Sequence, residues 1–91
     1  MNNKEKVHIL INEISKEILN FIKKEESSFE KRWVPATHIK ETLDLNFVAV
    51  PQENVQYGKK GWFFAIIARR LEDEGLVEYK KEDLRAFYRT K

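Results

Sequence analysis

The sequence predicts a mainly α-helical fold closed by a small antiparallel β-hairpin. Three observations carry this prediction. Apolar residues recur at intervals of three and four over 4–25 and again over 62–71. Gly75 follows the second run at the position of a left-handed helix stop. Residues 76–89 then read as two alternating strands joined by a charged turn. With 91 residues the chain is too short for two independent cores, so one domain spanning 1–91 is expected.

The first helix is expected over 4–25. Val7, Leu10, Ile11, Ile14, Ile18, Phe21 and Ile22 form its apolar stripe, while Ile9 and Leu19 fall off it. Asn2 or Asn3 is the candidate cap, and Glu5 and the Lys23–Lys24 pair suit the two ends of the helix dipole. Ser27 and Ser28 mark a break. Trp33 and Val34 form a very short strand before Pro35, which favours extended geometry in the residue ahead of it. A second helix opens at Ala36 or Thr37 and runs to about Leu43, with Thr37 as candidate cap and Ile39 and Leu43 facing the core.

An extended connection follows at about 44–58, containing Pro51, Asn54 and Gly58. A stretch of that length is costly to leave unstructured, so Phe47, Val48 and Val50 are expected to pack on the body or to form an added strand. The third helix begins between Lys59 and Trp62, with Phe64, Ile67, Ala68 and Leu71 as its core row. Strands are expected over 76–80 and 84–89 with a turn at 81–83. At least two of Tyr79, Phe87 and Tyr88 belong in the core, because one face of a hairpin must pack inward.

The run Leu71, Glu72, Asp73, Glu74, Gly75, Leu76, Val77, Glu78, followed by a basic hairpin ending in Phe87, Tyr88 and Arg89, resembles the winged helix-turn-helix superfamily. The DNA-binding domains of multiple-antibiotic-resistance and PadR-like transcriptional regulators are examples. The resemblance implies a winged helix of order H1-S1-H2-H3-S2-wing-S3, in which the leucine packs the recognition helix, the glycine ends it and Gly-Leu-Val starts the wing. It spans about 7–90, and only 64–89 is distinctive. Two departures stand out: the 46–58 connection is longer than the usual turn between helices two and three, and the extra dimerising helices of many such repressors are missing.

The resemblance implies a non-catalytic, homodimeric regulator that reads double-stranded DNA with its third helix and wing. Charge agrees in sign. The net charge is +2, and Lys59, Lys60, Arg69, Arg70, Lys80, Lys81, Arg85, Arg89 and Lys91 bias the C-terminal third toward positive. The outer face of helix three would carry Trp62, Ala65, Ile66, Arg69 and Asp73, with Arg70 on its flank. Arg69 is the base-reading candidate, because its planar donors match guanine in a bidentate way. Lys59 and Lys60 at the helix start, and Lys80, Lys81 and Arg85 on the wing, are candidate phosphate contacts.

Trp62 and Ile66 suit thymine methyls or sugar carbons less well than they suit cover. Burying both gains about 3–6 kcal/mol, so the 46–58 segment or a partner is the competing occupant of that face. The alternative function is accordingly a protein-interaction module using Trp62 and Ile66. The wing has its own bland reading, a soluble charged turn that blunts an edge strand. Self-association is expected through the first helix, since a two-fold dimer presents two recognition helices to a palindrome.

No enzyme is expected. There is no Cys, and neither His8 nor His38 has neighbours suggesting a triad or a metal site. No cofactor is implied. Asn12, Glu13, Ser15, Lys16 and Glu17 interrupt the first apolar stretch, so neither a signal peptide nor a membrane span is read there, and a soluble cytoplasmic protein is expected.

Overall fold

The computed structural model describes residues 1–47, 50–52, 55–57 and 61–91, with the 50–52 and 55–57 segments described as backbone. Among these residues three α-helices and a three-stranded antiparallel sheet follow one another in winged-helix order. Helix α1 spans Asn3–Glu25, strand β1 Val34–Pro35 and helix α2 Ala36–Thr42. Strands β2 (Val50–Gln52) and β3 (Val55–Tyr57) come next, then helix α3 (Trp62–Asp73) and strands β4 (Val77–Glu82) and β5 (Arg85–Thr90).

Asn2 caps α1, its Oδ1 accepting the Glu5 amide at 2.8 Å. The apolar stripe of α1 divides in two. Ser15, Ile18, Phe21 and Ile22 are buried, whereas Val7, Leu10 and Ile14 on the same stripe are exposed by 52%, 48% and 38%. The buried core lies under the C-terminal half of the helix, with the partly buried Ile11 packed at its edge. There Ile18 and Ile22 meet Val34, Ile39, Phe64, Ile67, Leu71, Val77 and Tyr88.

Strand β5 is central, pairing with β1 through Val34↔Tyr88 and with β4 through Tyr79↔Tyr88. Pro35 is tolerated because β1 is an edge strand. Pro35 also occupies the N-cap of α2, so Thr37 is not the cap: the helix starts directly after the strand, and Thr37 is exposed in its first turn. The 44–58 connection contains an added hairpin, with Val50↔Tyr57 and Gln52↔Val55 paired, and Val48 lies outside the described residues.

Helix α3 ends in a Schellman motif. Gly75 has φ +75°, its amide reaches Glu72 O at 2.9 Å, and the Leu76 amide reaches Leu71 O at 3.0 Å. The wing turns at Asp83–Leu84, not at 81–83. Glu82↔Arg85 closes a two-residue loop, and both turn residues take positive φ (50° and 66°), the signature of a type I′ turn. Of the three wing aromatics only Tyr88 is in the core, edge-on to Phe64 at 5.4 Å; Phe87 is half-buried and Tyr79 exposed. The two-core-residue expectation fails because the half-buried Phe87 instead lies under the Lys80 ammonium, 5.3 Å from its ring centroid.

A polar staple fixes the sheet to the end of α1. Glu26 is buried and accepts from the Thr90 amide (2.8 Å), the Thr90 hydroxyl (2.7 and 2.9 Å) and Arg32 Nη1 (3.0 Å). The same Arg32 nitrogen donates to Thr90 O at 3.1 Å. Burial alone would raise the Glu26 pKa; hydrogen bonds from the Thr90 amide and hydroxyl and from Arg32, with the Arg32 charge, outweigh it and hold the carboxyl below its ordinary value.

Candidate nucleic-acid interface

Helix α3 has two faces. Phe64, Ile67, Ala68 and Leu71 are buried, and Trp62, Ala65, Ile66, Arg69 and Asp73 are exposed, as the three-and-four spacing requires. Ile66 is 60% exposed and Trp62 41%, so neither is buried among the described residues. Phe47, arriving from the α2 end, provides partial cover at one end of the face. Its ring lies 6.4 Å from Trp62 and 5.7 Å edge-on to Phe63, and Trp62 meets Phe63 edge-on at 5.8 Å. The outer face therefore begins with an aromatic trio and continues through an open Ile66.

Arg69 projects to solvent but is already partnered, its Nε donating to Asp73 Oδ1 at 3.0 Å one turn along the helix. Arg70 turns the other way. Its Nη2 donates to Asn12 Oδ1 of α1 at 2.7 Å, and its Nε lies 3.4 Å from Glu74, so this guanidinium ties α3 to α1. Lys59 and Lys60 lie outside the described residues.

At the start of α3, Gly61 holds the N-cap position and has no side chain with which to accept from the first-turn amides. Lys40 of α2 crosses this point: a Cβ at residue 61 would stand 2.8 Å from Lys40 Nζ. An ammonium thus lies beside the electropositive end of the helix, where it repels further cations and attracts anions. Lys40 was not among the residues singled out by sequence reasoning. Its place in the α2 pattern gave it no marker, since only the approach of α2 to Gly61 brings it there.

On the wing the basic residues separate into two groups. Lys80 Nζ lies 5.0 Å over the Trp33 ring, 5.3 Å over Phe87 and 3.1 Å from Glu82. Arg89 stacks on the other indole contact at 4.1 Å from the Trp33 centroid while donating to Glu78 (3.1 Å) and to Lys31 O (3.0 Å). Both cations brace the wing against the segment before β1. Lys81 and Arg85 are exposed and form no ion pair among the described residues.

Between them, at the tip, Leu84 is 89% exposed in a left-handed conformation that Gly, Asn or Asp ordinarily fills. Sequence reasoning assigned Leu84 to a strand. The two-residue register alone reveals it as an apolar wing tip.

The histidines lie apart from this face. His38 Nε2 is 2.8 Å from Glu25 and its ring packs between Phe21 and Phe29, while His8 is exposed on α1. Among the described residues no group of three or more His, Cys, Asp or Glu side chains is placed to hold a metal, and no helix is long and apolar enough to cross a membrane. The sequence matches no protein-family model, and no curated protein or solved structure is significantly similar to it. The winged-helix fold is therefore assigned from element order, strand pairing and packing.

Proposed function

We propose that this chain is a non-catalytic DNA-binding regulator that acts as a homodimer, laying the outer face of α3 in the major groove and its wing along the backbone. The observation that carries this reading is the open recognition face of a winged helix, with Ala65, Ile66 and Arg69 all solvent-facing. Arg69 can exchange Asp73 for a guanine edge, because an exposed i,i+4 pair is worth only about 0.3–0.5 kcal/mol. The uncapped first turn of α3 with Lys40 beside it, preceded in sequence by Lys59 and Lys60, suits a phosphate. Lys81 and Arg85 suit the backbone next to the wing, and Leu84 suits sugar carbons.

A second reading, a protein-interaction module, is favoured by the aromatic trio of Phe47, Trp62 and Phe63 running into exposed Ile66. Fluorescence anisotropy with mixed-sequence duplex DNA at low and at physiological salt separates the two. The DNA reading expects binding that weakens as salt rises. It also expects Arg69→Ala to cost about 1–3 kcal/mol at a preferred site and little on random duplex. Absence of binding at low salt rejects it and leaves the apolar face as a protein-docking surface.

A further inference from the structure

We infer that the N-terminal half of α1 is the docking surface for a second copy of this chain, paired antiparallel across its exposed stripe. This deepens the two-fold reading of the function, and its test needs no DNA. Before Ser15 no residue of α1 is buried, yet Val7, Leu10 and Ile14 form a continuous apolar line there. That line opens onto a groove of about 730 Å³ whose apolar walls are Leu10, Ile14, Ile18, Leu43 and Leu45. A half-helix of this length is marginal in water unless its apolar face is covered.

Charge decides what covers it and in which direction. Lys6, Glu13 and Glu17 lie seven and four residues apart, along one flank of the stripe. In a parallel pair this flank packs against the opposite flank of the second helix, which carries Lys4, Ile11 and Ser15, so Lys6 meets no acid there. An antiparallel two-fold pair with Val7 opposite Ile14 of the second copy sets the charged flank against itself. Each Lys6 then falls between Glu13 and Glu17 of the other chain, about 3 Å along the axis from either. The same register seats Val7 of the second copy in the groove beside Ile14, Leu43 and Leu45.

Residues 3–18 supply about 24 Å of paired helix, a contact on the order of 500 Å² per copy and so near the lower bound for a specific dimer. The pairing is therefore expected to be micromolar.

Sedimentation velocity across the micromolar range, without DNA, tests this on the whole chain. The wild type is expected to shift from monomer to dimer with concentration, and Leu10→Asp to stay monomeric with unchanged helicity. Lys6→Glu is expected to raise the dimer Kd about tenfold through two symmetric sets of exposed pairs, and the triple swap K6E/E13K/E17K to restore it. A wild type that remains monomeric overturns the proposal and leaves the face to a foreign partner. Persistent dimer in Leu10→Asp, or no effect of Lys6→Glu, overturns it as well, the latter because a parallel pair would not sense that change. A monomer that still binds duplex DNA rejects the pairing and the homodimer while keeping the DNA-binding reading. A dimer that ignores DNA rejects the functional reading alone.

Discussion

Gly75 and Leu84 occupy the same left-handed backbone region for different reasons. At Gly75 no atom would touch an added Cβ, so the cost of a side chain is purely conformational. Gly75→Ala is expected to destabilise the fold by about 1 kcal/mol, and Leu84→Gly to stabilise it by roughly 0.5–1 kcal/mol, both read by urea unfolding. Evolution's use of a leucine where glycine is cheaper fits a contact made by the wing tip. Glu26 supplies a third residue-scale expectation. Its carboxyl is held below the ordinary value in the folded state, so its contribution is full above the unfolded pKa and is lost as pH falls through the folded one. Glu26→Gln should cost about 1–3 kcal/mol at neutral pH, by leaving Thr90 and Arg32 groups poorly matched, and the difference from wild type should shrink in acid. An equal difference at both pH values would contradict the staple.

At the scale of elements, α1 explains what periodicity can and cannot convey. Ile14, Ile18 and Ile22 recur every four residues, yet the first is exposed and the last fully buried. The pattern records that a face is apolar, not which neighbour covers it. Ile22→Ala should lower unfolding free energy by about 2–5 kcal/mol, whereas Leu10→Ala in dilute protein should cost under about 0.5 kcal/mol; equal losses would mean that the N-terminal half is packed after all. Helix α3 was legible on both faces, because its core row and its solvent row obey one period and Gly75 fixes its end. The wing was legible as a hairpin but not in its turn. A run of Lys, Lys, Glu and Asp reads as a loop, and only cross-strand register moves the turn to Asp83–Leu84. The α2–α3 connection was legible as too long to be idle, and β2 and β3 bear that out.

At the scale of the molecule, the order of helices and strands was read from local signals because each agrees with the others. The distribution of charge was not, since it depends on contacts distant in sequence. Arg70 is drawn to Asn12, Lys80 and Arg89 to Trp33, and Lys40 arrives at Gly61 from another helix. Composition groups Arg70, Lys80 and Arg89 with Lys81 and Arg85 in one basic C-terminal third and leaves Lys40 out; the fold divides them into braces and free groups. Lys81 and Arg85 belong to the free group, and the proposed function requires them to meet phosphate. The salt dependence of affinity for duplex DNA, compared between wild type and the Lys81→Ala/Arg85→Ala double variant, tests this most directly. The account predicts a linear fall of log K with log salt whose slope becomes shallower by about two in the variant, one for each lost phosphate contact. An unchanged slope, or a wild type whose binding ignores salt, would contradict it.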